Sequence, residues 1–244
     1  MIRLLLALAL LAMVGCGGDG EDTEIIVGAA ASLTVPITEI ARAYEREHPD
    51  VKVRVEFAGS ETLAARVRQG ARLDVLVSAD PRVIDGLRAE GLAGTPQPVA
   101  GNELVVLARA DSSVRTLGDI SRAGVRLAIG TESVPVGAYA REALLRLSPE
   151  IAEGALDNVR SQELDARGLT AKLDQEIVDA VVAYRTDALP LRLPPRVIRF
   201  PDGIAPEVRY AASTTSSRAA GAALQAWLTG PTARQTFAAA GFGS

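Results

Sequence analysis

The sequence predicts an α/β protein in which largely parallel sheets are covered by helices. Strand-like and helix-like segments alternate from Glu24 onward, the order that strand-helix-strand connections require. The helical stretches repeat apolar residues at helical spacing, whereas the strand stretches are short apolar or alternating runs. With 244 residues, 48% of them hydrophobic, the chain can bury a large core. It could do so as one big domain or as two lobes of roughly 100 residues each.

Ile25-Ile26-Val27 reads as the first strand. Ile37, Ile40, Ala41 and Tyr44 then form one apolar helix face, with Glu39, Arg42, Glu45 and Arg46 opposite. Val51 to Phe57 alternates as a strand with one wet face, Leu63–Arg68 is helical, Asp74–Val77 is a buried strand and Val83–Ala89 is helical again. A second series opens with the strand Leu104–Leu107. Strand Leu127–Ile129 precedes a helix over Tyr139–Leu147, and a helix over Gly168–Leu173 precedes strand Asp179–Tyr184. Val197–Phe200 and Val208–Ala212 are late strands. Helices near Ala219–Leu228 and Thr232–Ala239 follow, broken by Gly230-Pro231.

Composition excludes several function classes. The formal net charge is −4 and no Lys/Arg run stands out, so neither nucleic acid nor an anionic membrane surface is an expected partner. One Cys and one His are too few for a Cys/His metal site or an intramolecular disulfide. The lone His48, within Glu47-His48-Pro49-Asp50, reads as a solvated residue at a helix end. The H-E-x-x-H, G-x-S-x-G and P-loop patterns are absent, and the expectation is a protein that is not an enzyme.

The first residues read as an export signal. Met1-Ile2-Arg3 precedes the apolar run Leu4–Val14, which is too short to span a bilayer comfortably. Met13-Val14-Gly15-Cys16 resembles the bacterial lipobox, with Met13 where Leu is usual. Residues 1–15 are therefore expected to be a signal peptide. Cys16 is the expected lipidated residue, at the head of a flexible tether over 16–23. Gly15 to Gly20 formally fits G-x-G-x-x-G, but follows no strand and opens no helix.

Four junctions between strands and helices carry the chemistry. They are Gly28-Ala29-Ala30-Ala31-Ser32, Ala58-Gly59-Ser60-Glu61-Thr62, Gly130 to Gly137, and Tyr184-Arg185-Thr186-Asp187. In a parallel sheet such turns fall at the carboxyl ends of strands, where open α/β sheets bind ligands. The first three present free backbone N–H groups at helix starts, and Ser32 and Ser60 add hydroxyls. Taken singly, each serine would ordinarily be an N-cap and Tyr184 a core aromatic. Asp80 and Asp187 read as turn or cap residues; Arg185 could add a positive charge to the site, but its neighbour Asp187 is expected to hold it in a local pair.

Taken together and in order, the segments resemble the periplasmic molybdate-binding proteins of ABC importers. The matching stretches are Ala29-Ala30-Ala31-Ser32-Leu33, Ala58 to Ala64, Asp74 to Asp80, Asn102 to Val106, Val134 to Ala140 and Val182 to Ala188. The resemblance implies a two-lobed type II periplasmic-binding fold, each lobe a mainly parallel sheet flanked by helices. The lobes would comprise 24–100 plus 205–244, and 101–204. It implies a tetrahedral dianion, molybdate or tungstate, held by Ser32, Ser60, Val136, Ala166 and Tyr184, with no cofactor and no direct ligation of the metal. Val136 stands where the family has Ala, and Ala166 rests on the weaker match Asp165-Ala166-Arg167-Gly168. The implied partners are ABC permease subunits, with membrane attachment through the N-terminal lipid alone. The implied protein is a monomer outside the cytoplasm. The alternatives are another oxyanion such as sulfate on the same fold, an exported enzyme, and a sensor module.

Overall fold

The computed structural model describes residues 23–243. The expected signal peptide, Cys16 and the tether up to Asp22 lie outside the described residues, and Thr23 already pairs with Val51 at the start of the first strand.

Ten strands and eight α-helices follow in sequence among the described residues. They are β1 (Thr23–Ala30), α1 (Thr34–Glu47), β2 (Val51–Ala58), α2 (Ser60–Arg68), β3 (Val75–Ser78), α3 (Pro81–Ala89), β4 (Gln97–Asn102) and β5 (Leu104–Ala108). Then come β6 (Leu127–Gly130), α4 (Pro135–Leu145), α5 (Pro149–Asp157), β7 (Val159–Glu163), α6 (Ala166–Asp174), β8 (Ala180–Tyr184), β9 (Arg196–Arg199), β10 (Val208–Thr214), α7 (Ala219–Leu228) and α8 (Pro231–Ala239).

The strands form two five-stranded sheets, ordered β2-β1-β3-β10-β4 and β7-β6-β8-β5-β9. In the first, β1 lies parallel to β2 and β3, while β10 runs antiparallel to both β3 and β4. The second repeats the plan: β6 is parallel to β7 and β8, and β5 is antiparallel to β8 and β9. Each sheet is thus mixed, with a single reversed strand. That strand, β5 or β10, is the first to enter its sheet after the chain crosses from the other. The crossings are at Glu103 and over 200–207.

Both sheets are buried by helices on their faces, which explains why the central strands read as unbroken apolar runs. Val75–Val77 and Leu104–Ala108 are all buried, as are Ala180–Ala183. Three elements departed from the sequence expectation. Strand β4 carries Pro98 and Gly101, which an edge strand tolerates because it need not donate every ladder bond. Strand β7, Val-Arg-Ser-Gln-Glu, is a half-exposed edge with too few apolar residues to signal itself. Helix α5 buries little more than Ala152 and Ala155.

Candidate functional site

The carboxyl ends of β1, β2, β3, β6, β7 and β8 converge on one small cavity between the two sheets. The segments that follow them line it: Ser32, Ser60, Ala79, Val136, Ala166 and Tyr184 among others. All five residues singled out in the sequence meet here. The cavity is small, about 20 Å³, little more than the space a single buried water needs, so the group it suits is compact.

Each of the five presents a donor. The Ala79 N–H donates to Ser60 Oγ at 3.1 Å. Because a backbone N–H can only donate, the Ser60 hydroxyl proton remains free. Ser32 lies in a short 3-10 turn over Ala31–Leu33, its Oγ 3.0 Å from the Tyr210 hydroxyl. Neither serine caps a helix, contrary to the ordinary expectation: the residues preceding α1 and α2 are Leu33 and Gly59, without side-chain capping bonds. The hydroxyls are therefore not consumed by the helix ends. Val136 is the second residue of α4 and Ala166 the first of α6. N–H groups at such positions lack an intrahelical acceptor and carry the positive end of the helix dipole.

Tyr184 supplies the most informative atom. Its hydroxyl is buried and has no hydrogen-bond partner, one of two such side-chain atoms among the described residues. An unpaired buried hydroxyl costs on the order of 1–3 kcal/mol, and no protein atom competes for this proton, so it is available to an acceptor that enters the cavity. Burial pushes the Tyr184 phenol well above its ordinary pKa, so it keeps its proton and can only gain by donating it.

The acids nearby are already committed. Asp80 caps α3, accepting from the Arg82 N–H and Nε at 2.8 Å each. Asp165 caps α6 by accepting from the Gly168 N–H. Asp187 accepts from the Tyr184 N–H at 3.0 Å, a turn role as expected. Arg185 does not pair with it. Its guanidinium instead faces Glu103 and donates to the Gly241 carbonyl, because Asp187 turns inward beneath the backbone of Tyr184. Among the described residues no three His, Cys, Asp or Glu side chains converge as a metal site.

Burial pushes the Asp187 carboxyl up to about 7, against the pull of the Tyr184 N–H and with the Asp165 charge adding to the rise. Its folded pKa then exceeds the unfolded value of about 3.9, so the folded state holds the extra proton between those limits. Stability contributed by this group is complete below about pH 4 and is lost as pH rises through 7. Asp187→Asn is expected to flatten that decline. Urea unfolding at pH 5 and pH 7 checks it, the midpoint falling less in the variant than in the unsubstituted protein.

The walls of the cavity come from both sheets, and the two halves touch around it. A Cβ added to Gly59 would stand 2.3 Å from the Leu164 carbonyl oxygen across the gap. Arg167 on α6 donates to Thr34 Oγ1 at 2.5 Å and lies 5.8 Å from the centre of the Phe57 ring. Arg82 on α3 lies 5.4 Å from the centre of the Tyr139 ring on α4, at the outer range of a cation–π contact.

Sequence reasoning did not find Tyr210 or assign a role to Asn102. The available signal was period-two patterning, which puts Val208, Tyr210 and Ala212 on one face of β10. All three are buried.

Comparison with known proteins identifies the family. A family model described as bacterial extracellular solute-binding protein matches residues 25–243. The molybdate-binding protein ModA of Mycobacterium tuberculosis (strain H37Rv) is 32% identical over 209 residues, 80% of this chain and 78% of that one. ModA of Escherichia coli K12 is 32% identical over 234 residues, 91% and 90% of the two chains. Among solved structures, the Azotobacter vinelandii periplasmic molybdate-binding protein superposes with a TM-score of 0.79 at 19% identity, over 89% of this chain and 98% of that one. The M. tuberculosis sulfate-binding protein SubI shares the fold, with a TM-score of 0.76 at 16% identity over 90% and 86% of the two chains.

Proposed function

Because this chain belongs to the bacterial extracellular solute-binding protein family, we propose that it captures molybdate or tungstate outside the cytoplasm and delivers it to an ABC transporter permease. Cys16 would carry the lipid that anchors a monomeric receptor to the membrane. The halves built on the two sheets, 23–102 plus 208–243 and 104–199, would act as lobes closing on the ion. The first bound lies two residues off the sequence-based one at 100/101 because β4 runs on to Asn102.

The observation that carries this reading is the unpartnered Tyr184 hydroxyl, in a cavity also lined by the Ser32 and Ser60 hydroxyls and by the helix-start residues Val136 and Ala166. Molybdate is fully deprotonated at neutral pH and only accepts hydrogen bonds. Hydrogen phosphate would need an acceptor for its proton; the one carboxylate lining the cavity, Asp165, already accepts from the Gly168 N–H as the cap of α6. Neutral dipoles can hold a dianion once water is excluded, since the low local dielectric strengthens each bond. The relatives named for molybdate support the choice of ion.

Thermal melting against molybdate, tungstate, sulfate and phosphate tests the proposal. Micromolar molybdate or tungstate should raise the melting temperature, with sulfate and phosphate inert. A shift from sulfate alone would replace the ligand and keep the fold's role. Within the site, Ser60→Ala should weaken molybdate binding by about 1–3 kcal/mol, the effect of removing one partner of a buried charged bond. Unchanged affinity by calorimetry would remove Ser60 from the site.

A further inference from the structure

We infer that Asn102 and Tyr210 are positioning residues that fix the direction in which the Ser32 hydroxyl donates, forming a relay that ends at the anion. This rests on the oxyanion reading above.

The relay begins at a group with no choice of polarity. The Glu103 N–H donates to Asn102 Oδ1 at 2.9 Å, which fixes the amide orientation, because a backbone N–H cannot accept. The Asn102 Nδ2 atom therefore faces Thr186 Oγ1 at 2.8 Å and the Tyr210 hydroxyl at 3.3 Å. An amide nitrogen only donates, so the Tyr210 oxygen accepts at that contact. The remaining partner of the Tyr210 hydroxyl is Ser32 Oγ, at 3.0 Å. Burial keeps the phenol protonated, and its proton points at Ser32. Having accepted, Ser32 Oγ must turn its own proton elsewhere, and the cavity it lines is what remains.

Without the relay the Ser32 hydroxyl is ambivalent. It could donate to Tyr210 and present lone pairs to the anion, an arrangement that repels an acceptor-only ligand. Asn102 closes β4 where the chain leaves the first sheet, Tyr210 lies on β10 of that sheet, and Thr186 follows β8 of the second. The polarity of Ser32 is thus set by groups at the crossing between the sheets. The Tyr210 ring is held edge-on by Tyr184 and Phe242, with centroids at 6.0 and 5.5 Å, so Tyr210→Phe should leave packing in place.

A double-mutant cycle read by calorimetry with sodium molybdate tests the relay in the mature protein. Tyr210→Phe should weaken binding about ten-fold when Ser32 is present and less than two-fold in a Ser32→Ala background. Asn102→Asp keeps the shape and the acceptor for Glu103, but can only accept from Tyr210. It should cost at least as much as Tyr210→Phe, and clearly less once Tyr210 is Phe. A Tyr210→Phe loss that is equal with and without Ser32, or absent, overturns the relay and leaves the oxyanion reading standing. Failure of the unsubstituted protein to bind molybdate overturns both.

Discussion

Gly59→Ala is expected to lower affinity for molybdate by a factor on the order of 100, with the ligand-free protein as stable as before. Gly59 has φ −61° and ψ 143°, an extended conformation open to any residue, so the backbone does not require glycine. What requires it is the Leu164 carbonyl oxygen, 2.3 Å from where the new carbon would stand. That oxygen belongs to the segment between β7 and α6, whose next residues are Asp165 and Ala166. Pushing it away withdraws the donors of the second half while those of the first stay put. Two charge-assisted hydrogen bonds lost in this way amount to about 3 kcal/mol or more. Calorimetry reads the affinity and thermal melting without ligand reads the stability. A drop in both together would mean that Gly59 serves the fold and not the approach of the halves.

Gly137→Ala should behave differently, destabilising the protein itself by about 3 kcal/mol, the upper part of the usual range for overpacking. Its Cβ would fall 1.9 Å from the Thr131 carbonyl oxygen and 2.5 Å from the Gly130 carbonyl carbon. Both are backbone atoms of the turn leaving β6, and neither can swing aside as a side chain would. The first turn of α4 packs directly on the end of β6, and Gly130 is required from the other side, where a Cβ would meet the Gly137 nitrogen at 2.5 Å. Separating them should lower the melting temperature by about 6–12 °C for a chain of this size. It should also displace the Val136 N–H, so molybdate affinity falls as well. Unchanged melting would show that the β6–α4 junction yields more easily than its backbone contacts imply.

The contrast between these glycines shows what could be read from sequence and what could not. Gly59 and Gly137 both stand in junctions that the strand-helix alternation marks as ligand-facing. Whether each serves contact across the gap or packing within one half depends on which backbone lies opposite, and that follows from topology. The same limit applies to Tyr210. Arg-Tyr-Ala-Ala-Ser resembles any half-buried strand, and Tyr210 reaches Ser32 across 178 residues of sequence only because β10 reverses direction beside β3. Ser32, Ser60 and Tyr184 were legible because they sit at strand ends beside small residues, and the ordered motifs joined them to Val136 and Ala166. Strand β7 was illegible because an edge strand need not alternate cleanly, and the position of Ala166 depends on it.

The dominant physical idea is that two sheets, each with one reversed strand, aim their parallel carboxyl ends at a shared cavity furnished with donors. On the proposed reading, the buried, unpaired Tyr184 hydroxyl and the two serine hydroxyls beside Ala79 and Tyr210 would donate to the ion. Anomalous diffraction at the molybdenum edge, from crystals grown with molybdate, tests this most directly. A single strong peak is expected, enclosed by Ser32, Ser60, Val136, Ala166 and Tyr184, with the Tyr184 hydroxyl bonded to one of the molybdate oxygens. A peak elsewhere on the molecule, or an empty cavity at saturating molybdate, would contradict it.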